Sequence, residues 1–229
     1  MHIHFSRRSA ALLFILTGLF VQTTSAQSPR ERHEKIRAAI ERGDHAAASH
    51  ELQTWRSAEP NIFTLNNYDY LLARLSERTG DRATAAVNYQ RVVARNAVLG
   101  QYALWHLAQF ARMTGNLTLE REQLRQLIAT APESLLRDAA SARLGESLFE
   151  SGDYALAILE LKQRSQSNVG ATAREAQALL GQAYLKSRQW EQAREVFNNL
   201  ITQLTNPSQP DDFALAAVHG LDELDSGSL

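Results

Sequence analysis

Between Asp138 and Ile201 the apolar and polar positions follow one pattern twice. Leu144, Gly145, Leu148, Gly152, Asp153, Tyr154, Ala157, Ile158 and Leu161 recur 36 residues later as Leu180, Gly181, Tyr184, Arg188, Gln189, Trp190, Ala193, Arg194 and Phe197. Apolar residues three and four apart mark two amphipathic helices in each copy, and Gly152-Asp153 marks the turn between them. Gly145 and Gly181 fall inside the helical stretches, where glycine costs about 1 kcal/mol against alanine. That cost is tolerable where the missing side chain lets a neighbouring helix come close, and Ala157 and Ala193 serve the second helix in the same way. A repeat of this length, with a small residue midway along each helix, predicts an all-α, right-handed solenoid of stacked helix pairs.

Weaker copies precede the clear pair. The first has Ile36 and Ala39, a Gly43-Asp44-His45 turn, and Ala48, Leu52 and Trp55 facing inward, with Pro60 stopping the helix. The second has Leu72, Ala73, Gly80-Asp81, Ala85, Tyr89 and Val92. The third has Leu104, Leu107, Ala108, Gly115-Asn116, Leu124 and Leu127, ending at Pro132. The small position of the second helix runs through Ala48, Ala85, Glu120, Ala157 and Ala193, at spacings of 37, 35, 37 and 36. Glu120 breaks that series and predicts looser or locally altered packing in the third repeat. The expected organisation is a signal peptide over residues 1–26 and a solenoid over 27–224. Its repeats lie near 31–60, 66–97, 101–132, 138–167 and 174–205, with a terminal helix over 211–224 and a tail over 225–229. Asp211 can N-cap the terminal helix, which is either a cap or the first half of a sixth repeat.

The N-terminal segment reads as a secretory signal. Arg7 and Arg8 are its positive region, Ala10 to Val21 an apolar stretch of 12 residues, too short to span a bilayer, and Thr24-Ser25-Ala26 a small-residue cleavage site. The paired arginines suggest twin-arginine export, but Ser9-Ala10 lacks the large apolar residue expected there, which favours the general route. The expectation is a periplasmic protein, cleaved after Ala26, with no stable membrane insertion afterwards. Cleavage leaves 22 basic against 25 acidic residues, a balance that argues against a nucleic-acid partner. The chain has no cysteine, so no thiol chemistry or disulfide.

Two resemblances follow from these residues. The Leu-Gly, Tyr, Gly-Asp-Tyr, Ala and aromatic or Leu offsets of the two clear copies resemble the tetratricopeptide repeat family. Taken with the secretory signal, that resemblance implies an exported, non-enzymatic scaffold of the bacterial envelope that binds a protein or peptide in its concave groove. Tyr102-Ala103-Leu104-Trp105-His106-Leu107-Ala108, then Thr114-Gly115-Asn116 and Ala131-Pro132-Glu133-Ser134, are similar to the N-terminal helical region of soluble lytic murein transglycosylases, over about residues 62–161. This second resemblance makes peptidoglycan an alternative partner. It also implies a lysozyme-like catalytic domain, which is not visible in the sequence. Catalytic glutamates of that family stand in Glu-Ser pairs, and two such pairs occur here, Glu146-Ser147 and Glu150-Ser151. A general acid for glycoside cleavage needs a closed pocket that raises its pKa. A solenoid turn offers none, so both pairs are expected to be surface helix residues, with no catalytic residue in the chain.

No other chemistry assembles. His45 and His50 are five apart, a poor metal-ligand spacing, and no carboxylate pattern completes a site. No nucleophile elbow, phosphate loop or dinucleotide fingerprint occurs, so no metal and no cofactor is expected. The groove remains. In tetratricopeptide arrays the first helix of each pair lines the concave face. Counting from its small residue gives Asn67, Tyr70, Arg74 and Glu77, then Tyr102, Trp105, Gln109 and Arg112, then Ala139, Ala142, Glu146 and Phe149. Tyr70, Arg74, Tyr102, Trp105, Gln109 and Arg112 are therefore the candidate binding residues. Aromatics and arginine dominate interface hot spots, and they stack on sugars or grip carboxylates. The competing expectation is that Tyr70 and Trp105 pack against the next repeat and the arginines are solvated.

Overall fold

The computed structural model describes residues 28–165, 171–204 and 208–227. The expected signal peptide at residues 1–26 lies outside them, as do Asn206, Pro207 and the last two residues of the tail. The described residues form twelve helices and no strand. In order these are α1 (Pro29–Glu41), α2 (His45–Ala58), α3 (Pro60–Leu65), α4 (Tyr68–Arg78), α5 (Arg82–Ala94) and α6 (Gly100–Met113). There follow α7 (Leu117–Thr130), α8 (Arg137–Glu150), α9 (Tyr154–Ser165), α10 (Ala171–Lys186), α11 (Trp190–Thr202) and α12 (Asp212–Asp225). Each helix packs on its neighbours in sequence, α2 also reaches α4 past the short α3, and α10 also reaches α12, so the described residues form an all-α solenoid of helix pairs.

One turn chemistry joins the two helices of each of the first four pairs. Gly43, Gly80, Gly115 and Gly152 have φ between +72° and +82°, the left-handed region that costs other residues about 1–2 kcal/mol. The next residue starts the second helix. Its N–H returns to the carbonyl five residues back, at 2.9 Å in each case, as in Asp81 to Ser76 and Asp153 to Leu148. At Asp44, Asp81 and Asn116 the side chain then accepts the N–H three residues on, at 3.0 Å. The fifth turn keeps the backbone but not the residues. Arg188 takes φ +61°, and Gln189 makes no side-chain cap. Its N–H still reaches the Tyr184 carbonyl at 2.9 Å.

Small residues set the helix separations. A Cβ on Gly145 would stand 2.8 Å from a Leu161 methyl, and one on Gly181 would stand 2.3 Å from the Phe197 ring. A Cβ on Gly220 in α12 would meet the opposite edge of that ring at 2.4 Å. Phe197 is fully buried between the two glycines, so α12 occupies the place of the first helix of a further pair. Asp211 caps α12 through the Ala214 N–H at 2.8 Å and takes two hydrogen bonds from Arg174 of α10, at 2.6 and 3.0 Å. That arginine holds the Asp211 carboxyl below its usual range.

Pro60 stops α2 as expected and also opens a short helix that the repeat pattern does not predict. The helix α2 stops at Ala58, and Pro60 opens α3, at a first position where its missing N–H costs nothing. Phe63 of α3 is fully buried in the first core beside Leu52, Trp55 and Leu72. Of the two outcomes expected at Glu120, looser or locally altered packing, the structure shows the second. Glu120 is 1% exposed at the small position of α7. Arg143 of α8 donates to it from Nε at 2.8 Å, and Arg112 of α6 lies at 3.5 Å. Burial raises the Glu120 carboxyl above its usual range, against the lowering effects of Ser147 and Arg112.

Candidate functional site

The first helices of successive pairs, α4, α6, α8, α10 and α12, line one face of the solenoid. Along it runs an open groove of about 990 Å³, edged by Glu77, Trp105, Gln109, Arg112, Ala139, Ala142, Glu146 and Glu175. A second hollow of about 300 Å³ shares Ala142, Glu146 and Glu175 with it and continues past Leu179 and Gln182 to Phe213 and Ala216 of α12. The groove deepens at α8 because Ala139 and Ala142 stand there, where α6 carries Tyr102 and Trp105 at the same offsets.

The six candidate residues divide between two places. Trp105, Gln109 and Arg112 border the groove. Trp105 is half-buried and also packs against the main core, so it is at once a core residue and a wall of the groove. Tyr70, Arg74 and Tyr102 are outside the groove lining. Tyr70 packs edge-on to the buried Tyr89, with ring centres 5.7 Å apart. Tyr89 stacks on His106 at 4.9 Å and 6° and donates to Glu77 at 2.7 Å. Arg74 donates to Glu77 at 2.6 Å and to the His106 ring at 3.1 Å. Burial pushes the His106 pKa down, with Glu77 opposing, which suits a neutral ring that accepts from Arg74. Tyr102 is half-buried on α6.

The arginines of the groove are partly exposed but already paired. Arg112 donates to both carboxylate oxygens of Glu150, at 2.8 and 2.6 Å, and Glu146 lies 3.7 Å away. Arg143 donates to Glu146 at 2.7 Å as well as to Glu120. Glu146 is half-buried, and burial raises its pKa while Arg112 opposes the rise. The Glu-Ser pairs are therefore not plain surface residues. Ser147 is wholly buried, Glu146 borders the groove, and only Glu150 and Ser151 of the four are exposed.

Glu175, Leu179, Gln182, Phe213 and Ala216 of the groove escaped the sequence reading. Glu175 and Gln182 stand on α10 at the offsets that pick out Ala139 and Glu146 on α8, so carrying the count one repeat further reaches both. Phe213 lies in the first turn of α12, where no completed repeat supplied a register.

Comparison with known proteins agrees with this geometry. The profile described as tetratricopeptide repeat matches residues 70–134 and 143–208. Among solved structures the chain is similar to a tetratricopeptide repeat protein from Parabacteroides merdae, with a TM-score of 0.60 and 18% identity, over 86% of this chain and 78% of that one. It is similar also to the MamA protein, with a TM-score of 0.56 and 16% identity, over 87% of this chain and 95% of that one. At such identities the likeness is one of fold. No curated protein matches the chain.

Proposed function

The chain belongs to the tetratricopeptide repeat family, and from that premise we propose a non-enzymatic scaffold that is exported to the bacterial envelope and holds a protein or peptide segment along its concave face. The observation that carries this reading is the groove of about 990 Å³, where Trp105 faces the small side chains of Ala139 and Ala142 across α6 and α8. Half-buried aromatics beside vacant space are what interface anchors are built from. The export part rests on the sequence of residues 1–26. Among the described residues no helix is long and apolar enough to cross a membrane.

Ala142 borders both hollows and is only half-buried, so Ala142→Trp fills the groove from a helix surface without disturbing the core. Photo-crosslinking in envelope extracts should capture a partner with the parent chain and lose it with Ala142→Trp, while the helical circular-dichroism signal stays unchanged. Capture that survives the plug refutes the groove reading. Fractionation with N-terminal sequencing should find the protein in the periplasm, beginning at Gln27. Incubation with purified peptidoglycan sacculi covers the transglycosylase alternative, because release of glycan fragments would overturn the non-enzymatic assignment.

A further inference from the structure

Resting on that groove reading, we infer that the bound segment is cationic, presenting a lysine or arginine beside small apolar residues, and that Glu175, Glu146 and the ring of Trp105 receive it.

The cationic side chains bordering the groove are Arg112 and Arg143. Both guanidiniums are already engaged, Arg112 with Glu150 and near Glu120, Arg143 with Glu120 and Glu146. Two positive charges thus serve three carboxylates before any partner arrives. Glu175 adds another. It is exposed on α10, borders both hollows, and makes no ion pair among the described residues.

A carboxylate entering this groove has to displace Glu150 or Glu146 from an arginine and then sit beside the displaced acid. An ammonium or guanidinium entering it meets surplus acceptors and displaces nothing. The indole of Trp105 borders the same space, and an aromatic ring there favours a cation over a neutral side chain. Ala139, Ala142, Leu179 and Phe213 supply apolar surface for the stem of a lysine or arginine and for its small neighbours. Burial that raises the Glu146 carboxyl adds to the same preference, since an incoming cation relieves it.

The test is selection from a random nonapeptide display library on the immobilised chain beginning at Gln27, which carries all the described helices. Peptides retained by the parent chain and lost on Ala142→Trp should be enriched in lysine and arginine next to apolar residues. Their affinity should fall roughly fivefold with Glu175→Gln and more with Glu175→Lys, and high salt should erase most of the difference. Glu175 is exposed and makes no ion pair among the described residues, so neither variant threatens the fold. Selected peptides rich in aspartate or glutamate, or indifferent to Glu175→Lys, overturn this inference and leave groove binding intact. Retained peptides that all ignore Ala142→Trp, or no retained peptides, overturn both.

Discussion

Arg188→Gly combined with Gln189→Asp should stabilise the fifth repeat. Four sister turns place glycine at this backbone position, with φ from +72° to +82°, whereas Arg188 is held at +61°. An L residue pays about 1–2 kcal/mol for the left-handed region. Glycine returns part of that through its greater freedom in the unfolded chain, about 0.5–1 kcal/mol. The net gain is about 0.5–1 kcal/mol. Gln189 caps nothing, while Asp44, Asp81 and Asn116 each satisfy an amide at the head of the second helix. A new aspartate cap is worth about 1 kcal/mol. The Gln189 side chain gives up a hydrogen bond to Ser187 of 3.1 Å, a small loss in a turn open to water. Together the two changes should add about 1.5–2 kcal/mol. For a chain of this size each kcal/mol raises the melting temperature by about 2–4 °C. Because stacked repeats unfold in parts, amide exchange of α10 and α11 should be followed beside the thermal melt. Slower exchange confined to those helices with a higher melting temperature is the expected result. An unchanged or lowered midpoint, with exchange no slower, would refute the claim that this backbone is strained.

Two further predictions concern the interior. Removing Arg143 leaves the buried Glu120 carboxylate with only the more distant Arg112, so Arg143→Ala should cost about 3 kcal/mol in urea denaturation. Adding Glu120→Ala should recover most of that loss, and a double variant weaker than the single would sink the argument. The pH response has a definite sign. Burial raises the Glu120 pKa above its ordinary 4.5, so the folded state holds this proton more tightly than the unfolded state does. Stability relative to Glu120→Gln should therefore rise as pH falls through the folded-state value, and level off once the unfolded chain is protonated too. Gly220→Ala puts a methyl 2.4 Å from the Phe197 ring and should cost about 1–3 kcal/mol in a thermal melt, partly restored by Phe197→Leu. No loss would mean that α12 shifts freely on its neighbours.

The fold was legible because close approach leaves a mark in composition. At Gly181 any side chain collides with Phe197, and at Gly80 any other residue pays for the turn, so small residues and turn glycines recur in most of the repeats. The charge network was not legible. The bond from Arg112 to Glu150 spans 38 residues and depends on the facing of α6 and α8, which no local pattern encodes. Glu120 looked like a defect because its partner Arg143 belongs to the following repeat. Trp105 and Arg74 show the limit of counting along a helix. Each obeys the concave offset, yet Arg74 turns to His106 and Glu77 while Trp105 both packs and borders the groove. Short α3 was hidden because proline ends one helix and begins another equally well.

The carboxylate buried at Glu120 makes the third and fourth repeats inseparable. In an ideal array any unit can be duplicated, deleted or exchanged, because each presents its neighbours with the same alanine-sized notch. Here the third unit carries an acid whose nearer counterion belongs to the fourth. Lifting either one into another array, or inserting a consensus unit between them, would strand a charge in the interior. The chain is thus a sequence of modules in outline but a fixed pair at its centre, and recombination across that junction must move the acid and the arginine together.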